Sequence, residues 1–461
     1  MLARTIPTLM IRVVASAALA LILTLVSLPG QAPRPDRRDQ IELTSGAVRT
    51  GRVVQRYEPE HLLISDGGNR DRIPWPQVAR VRTVAEMIAE LLDMRSEGLS
   101  LAAEWTLAEI AHARGLEDLA RLQAWHVLLR DPDHEAAHAL LGNVGKKGAW
   151  RWRWDGEFLS PAGVAKKAES RFELRSEHFR LRSETGLRVA IDTLFDLERA
   201  YATFWREFGK ELRPLSLFDP IEVELHPSAD ALPKLNSDLA DPYCDPSLRG
   251  GSVVHTYLIA PTERAANLAG VTLEQLLYTT LLTPKAGRPD TFNERIAAWV
   301  EIGLSRWFTS RSQGRPGYLR LEAPKLELVL ADRALRYRPY GLEQLIHLRI
   351  QHFFEDRDLA GFHLANTAMF VAWLMDPAAQ AGDPKVDVRP RFLAYVRACF
   401  HDGKGNGSSL LDDCLGREIG RLENCEAPWV KWLSATSGIA ATRTPYDLPT
   451  PRSLRRLIIG R

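Results

Sequence analysis

The spacing of apolar positions predicts where strands give way to helices. Short alternating runs occupy 41–43, 51–55, 61–65, 72–74 and 78–81, separated by turns such as Thr44-Ser45-Gly46 and Asp66-Gly67-Gly68-Asn69. Period-two runs between Gly-rich turns predict a small antiparallel barrel or curled sheet over 41–83. From Val84 to about Val144 the period becomes helical. Trp105, Leu107, Ile110 and Ala111 make one stripe, and Leu119, Leu122, Trp125 and Leu128 another, with Gly115 closing the first helix. Asp131 and Pro132 read as the cap and first residue of a further helix. Trp150, Trp152 and Trp154 alternate with Arg151 and Arg153, which predicts a strand whose Trp face covers a neighbouring apolar surface. The stretch 160–170 reads as a joint.

Beyond the joint, 178–183 alternates like a strand. Leu187, Ile191, Leu194, Phe195, Leu197, Tyr201, Phe204, Trp205 and Phe208 then form a strong amphipathic helix, which Gly209 is expected to stop. Strands are expected at 221–225 and 253–259. Two helical patterns occupy 271–308, broken by a Lys/Pro/Gly-rich segment. The first carries Leu273, Leu276, Leu277, Thr280 and Leu281; the second carries Ile296, Trp299, Val300, Gly303, Leu304 and Trp307.

The second pattern reads Trp299-Val300-Glu301-Ile302-Gly303-Leu304-Ser305-Arg306-Trp307-Phe308. It resembles the second core helix of the peptidase-MA-like, gluzincin type of zinc peptidase, written roughly W-[LV]-x-E-G-[LF]-[AS]-x-[YW]-F. The later run from Gly361 to Leu374 is similar to a further helix of that family. The resemblance covers about 171–435 and implies an α+β fold, with a zincin-like C-terminal domain behind a small β-barrel module and a helical hairpin. It also implies a zinc site, and here the sequence departs from the pattern. The third metal ligand, a Glu, falls on Ile302. The HExxH of the first helix falls on 275–279 or 276–280, so that Gln275, Leu276, Thr279 and Thr280 are the vestigial motif positions. A third register, 273–277, keeps Glu274 at the place of the general base. None supplies a histidine, because none exists between His255 and His347. Zinc takes His, Cys or carboxylate donors, and Leu and Ile have no lone pair to give. The expectation is a peptidase fold with no catalytic residue, no metal and no cofactor, whose emptied ligand face, 275, 276, 279 and 280, packs on Ile302. Such a domain would bind a protein or peptide, by strand addition along 253–259.

A literal HExxH does occur, at His134-Glu135-Ala136-Ala137-His138. It sits in a region resembling a tetratricopeptide-like hairpin, with no Trp-x-x-Glu-Gly helix after it, and is read as structural. His347 and His352 are five apart and do not share a helical face. Gly403-Lys404-Gly405-Asn406-Gly407 has the composition of a phosphate loop without its order and is read as a loop.

Composition adds limits. With 461 residues, 45% hydrophobic, 26% charged and a net charge of +2, nothing calls for nucleic acid as a partner. Arg4 and Arg12 precede an apolar run from Val13 to Leu28, the pattern of a secretory signal or anchor. The chain is therefore expected to be exported to the periplasm, the envelope or the medium, with membrane anchoring through that run if it is retained. Four cysteines, Cys244, Cys399, Cys414 and Cys425, suit an oxidising compartment; Cys399 with Cys414, Cys414 with Cys425, and buried free thiols are the options. The expected organisation is 1–32 signal or anchor, 33–40 linker, 41–83 SH3-like module, 84–147 tetratricopeptide-like helices, 148–170 Trp-rich strand and joint, 171–435 peptidase-MA-like domain and 436–461 polar tail. Function divides three ways: a non-catalytic envelope component, an active metallopeptidase with other ligands, or a scaffold working through its N-terminal modules.

Overall fold

The computed structural model describes residues 39–55, 60–66, 69–95, 98–217, 219–232, 243–245, 253–257, 261–281, 296–312, 357–376, 387–401 and 408–415, with 425, 428–429 and 431–432. The expected signal, His347, His352, the 403–407 loop and the 436–461 tail lie outside them. The described chain is α+β.

Strands β1 (Asp39–Leu43), β2 (Val48–Gln55), β3 (His61–Asp66), β4 (Asn69–Pro74) and β5 (Val78–Arg82) form an antiparallel sheet ordered β4-β3-β2-β1-β5. Its alternation closes a small core of Ile41, Val53, Leu62, Ile64 and Ile73. Asp39 fastens this module to the first helix, α1 (Val84–Met94). Its buried carboxylate accepts from Val53 N at 2.6 Å and from Val84 N, at the start of α1, at 2.7 Å. Burial pushes its pKa up to about 6 against the pull of those two N–H groups. Thr83 and Glu86 complete a capping box there.

Helices α2 (Leu101–Ala113), α3 (Glu117–Leu128) and α4 (Glu135–Leu141) come next. Gly115 takes φ +73° after α2, as a C-terminal glycine should. The start of α4 differs from expectation: His134, not Asp131, is the cap, its Nδ1 accepting from Ala137 N at 3.2 Å. The Trp hairpin, β6 (Trp152–Trp154) with β7 (Glu157–Leu159), lays Trp152 and Trp154 on Trp125 of α3 at 5.3 and 5.8 Å between ring centroids. The joint at 160–170 contains a helix, α5 (Pro161–Lys167), capped by Ser160.

The second sheet is ordered β8-β9-β10-β12-β11, from β8 (Phe172–Arg175), β9 (Phe179–Ser183), β10 (Ile221–His226), β11 (Tyr243–Asp245) and β12 (Val253–Tyr257). Strands β9, β10 and β12 are parallel; β8 and β11 run antiparallel at the edges. Helix α6 (Leu187–Leu212) crosses from β9 to β10. Gly209 does not stop it; that residue is buried inside the helix. Phe179, Leu181, Val223 and Leu225 are buried, while the alternate positions carry Arg180, Arg182, Glu222 and Glu224. Because β11 pairs with β12 from Tyr243↔His255 to Asp245↔Val253, the edge expected to take a peptide strand is already occupied at 253–255. The only sequence signal for β11 is Tyr243-Cys244, too short a run to read as a strand.

Helices α7 (Pro261–Leu281), α8 (Ala298–Ser312), α9 (Arg357–Met375), α10 (Val388–His401) and α11 (Ser408–Leu415) complete the described chain. One continuous core runs from Val84 to Trp429. No helix among the described residues is long and apolar enough to cross a membrane. Cys399, Cys414 and Cys425 are thiols rather than half-cystines.

Candidate functional site

Helices α7 and α8 pack on one another, and two glycines fix which faces meet. A Cβ at Gly270 would strike Ser305 Oγ, so α7 presents Gly270 to α8. A Cβ at Gly303 would strike Val371 and lie 2.9 Å from Thr367 O, so the back of α8 is pressed against α9. Glu301 stands about 200° around the helix from Gly303. Seating Gly303 on α9 therefore turns Glu301 toward α7. There it meets Glu274, one turn on from Gly270.

The two carboxyls form a buried like-charged pair. Burial pushes Glu274 up to about 7. Burial, with the charge of Glu274 added, holds Glu301 well above the ordinary carboxylate range. Glu301 Oε2 is shut off from solvent and meets no hydrogen-bond donor among the described residues. Each residue as a whole is only half-buried. Two carboxyls without a cation hold at least one proton between them near neutral pH.

The packing expected of 275, 276, 279 and 280 on Ile302 is therefore not the one the two helices adopt. The stripe through Gly270 and Glu274 continues by helical period to Leu277 and Leu281; Gln275, Leu276, Thr279 and Thr280 lie off it. Thr279 is exposed and its Oγ1 bonds Gln275 O at 2.8 Å, while buried Thr280 bonds Leu276 O at 2.7 Å. Ile302 packs half-buried on the core, one position round from the residue that faces α7. The 273–277 register keeps Glu274 between Leu273 and Leu277, both of which are buried. The sequence held this register as one of three; it could not show how α8 is rotated.

The literal HExxH is taken apart by the fold. His134 precedes the helix as its cap, so the two imidazoles are not one turn apart on a helical face. His138 is buried, with Nε2 2.8 Å from Pro132 O, Nδ1 2.9 Å from Asn143 Nδ2, and its ring stacked on Trp150. Both histidines already have structural partners.

A second buried histidine pins the sheet to α6. His178 Nδ1 lies 2.8 Å from Glu198 Oε2, His178 N donates to Oε1 at 2.7 Å, and the ring stacks on Tyr201 at 3.6 Å. Burial alone would raise the Glu198 carboxyl, but His178 and Ser176 pull it below the ordinary range. With Glu198 fully buried and His178 almost so, this pair is closed to any substrate.

On the charged face of the second sheet, strand register collects three metal-capable side chains that sequence reading did not single out. Glu224 and His226 are two apart on β10 and share a face; His255 of β12 is the lateral neighbour of Glu224. His226 Nε2 is 3.2 Å from His255 Nδ1, and each of these nitrogens is 3.9 Å from Glu224 Oε2. Burial lowers the pKa of His226 despite the nearby Glu224 carboxylate. The only sequence signal was Glu-x-His, with the third residue supplied by a parallel strand across a long connection. No protein-family model, curated protein or solved structure matches this chain.

Proposed function

We propose that the chain is an exported, non-catalytic homologue of a gluzincin peptidase, serving as a binding or assembly component of the cell envelope for a protein or peptide partner. The observation that supports this is the α7–α8 contact. At the place the resemblance gives to a catalytic zinc, Leu273 and Leu277 offer no lone pair. The carboxylate that faces them, Glu301, is matched with a second carboxyl rather than a cation. A general base needs a metal-bound or otherwise activated water beside it, and a buried carboxyl pair holding at least one proton between the helices provides none. The zincin-like architecture and the export are part of the same proposal.

The full chain, supplied with zinc and an unfolded protein substrate, should show no hydrolysis above the buffer, and Glu274→Gln should leave that result unchanged. Turnover that disappears in Glu274→Gln would overturn the reading. Crosslinking of the full chain in envelope fractions should place a partner on 171–432; crosslinks confined to 39–145 would favour a scaffold acting through the N-terminal modules.

A further inference from the structure

We propose that Glu224, His226 and His255 form a binding site for one zinc-type divalent transition-metal ion on the charged face of the second sheet. The three donor atoms make a triangle with sides of 3.2, 3.9 and 3.9 Å. A point in its plane lies about 2.1 Å from all three, the bond length that zinc takes to imidazole nitrogen and carboxylate oxygen. The spacing of the donor atoms thus suits one ion. Two imidazoles and one carboxylate suit zinc and its transition-metal neighbours rather than calcium or magnesium, which take oxygen ligands.

The placement is rigid. All three residues stand on paired parallel strands in the middle of a sheet, not on loops, and the lateral pairing of Glu224 with His255 fixes their separation. Glu224 is also oriented from behind: its other oxygen, Oε1, accepts from Arg171 Nη2 at 2.7 Å, with Arg182 Nη1 3.8 Å away. That arrangement leaves Oε2 directed at the two imidazoles, in the way hydrogen bonds orient ligating carboxylates at known metal sites. In the metal-free arrangement the two imidazole nitrogens face each other at 3.2 Å; an ion would replace that contact. Side-chain exposures of 17% for His226 and 20% for Glu224 give the site a way in from solvent. Three protein donors leave a fourth position for water or an oxygen donor of a bound molecule. The proposal is independent of the α7–α8 helices and of whether the chain is a peptidase relative.

The test uses the full chain, stripped with a chelator, dialysed and titrated with Zn²⁺ and with Co²⁺. One ion per chain should bind with a micromolar or tighter Kd, and Co²⁺ should give the visible absorption of a low-coordinate nitrogen and oxygen site. His226→Gln and His255→Gln should each weaken binding at least tenfold, as loss of a first ligand must. Should Glu224→Gln misfold through loss of its Arg171 contact, His226→Gln, at the more exposed ligand, carries the test, with circular dichroism as the folding control. Replacing His134 and His138 together, or Glu274→Gln, should leave the affinity unchanged. No binding at 100 µM Zn²⁺, or binding that survives His226→Gln and His255→Gln, would overturn the proposal. Zinc lost in Glu274→Gln but kept in His226→Gln would overturn it and the non-catalytic reading together.

Discussion

Glu274 and Glu301 give the molecule a pH signature. The folded chain raises the Glu274 carboxyl to about 7, from 4.5 in an unfolded chain. Between those values the unfolded chain releases a proton that the folded chain keeps. Stability therefore falls as pH rises through that window and stays lower above it, by on the order of 3 kcal/mol for this group. Glu274→Gln, neutral at every pH, should be more stable than the parent at pH 8 by up to about that amount and indistinguishable from it near pH 4. Urea melts of both proteins at pH 4, 6 and 8 measure the difference; equal stability at pH 8 would show that the carboxyls are solvated. At the decoy motif, His138→Ala should cost about 1–3 kcal/mol, because Pro132 O and Asn143 lose their partner inside the core, with no change in metal content. Residue identities were open to sequence reasoning in both places. What separated them was rotation: the sequence placed Glu301 one position from a ligand, and only the seat of Gly303 on α9 shows that it is Glu301, not Ile302, that looks at α7.

Among elements, the two helix glycines differ in what a methyl group would meet. At Gly303 it meets Thr367 backbone oxygen and a branched side chain held in the core; at Gly270 it meets the rotatable hydroxyl of Ser305. Gly303→Ala should cost about 1–3 kcal/mol or more through overpacking. Gly270→Ala should cost less, since Ser305 can swing aside and alanine favours the helix. Thermal melts of the two variants check the order; a reversal would mean that α8 is seated differently. Helix and strand types were legible from period alone for α6, whose apolar residues recur at helical spacing, and for β9 and β10, where burial alternates cleanly. Elements built by pairing were not: β8 and β11 are edge strands of four and three residues, too short to show a period and defined by their pairing with β9 and β12. The metal-capable triad belongs to the same class, since Glu224 and His255 become neighbours only when β10 and β12 pair in register.

In the whole molecule, the N-terminal sheet and the helices behave as attachments to α6. Arg95, just past α1, bonds Asp192 of α6 at 3.3 Å and covers Phe195, Arg199 donates to Leu92 O, and Ser216, just beyond α6, donates to Val53 O at 2.6 Å. Asp39 holds the sheet to α1 through two buried N–H groups. Asp39→Ala should cost about 2–4 kcal/mol, because both donors are left buried and unpaired. Asp39→Asn, which keeps an acceptor, should cost clearly less. Urea denaturation measures both; a cost below about 0.5 kcal/mol for Asp39→Ala, the range of an ordinary surface change, would show that Asp39 is no latch.

The burial of α6 also bears on how the chain is made. This helix of 26 residues has buried positions around most of its circumference. One of its contacts, Arg389 Nη2 to Glu207 O, joins residues 182 positions apart. At about 5–20 residues per second, a ribosome needs roughly 10–40 s to travel that interval. For that time the side of α6 that ends against α10 stands uncovered, with Phe204, Phe208 and Leu212 near it in sequence. Folding of this chain therefore has to wait for its late helices, and a chain ending near residue 380 should be held by chaperones or aggregate, where one running past residue 415 should not.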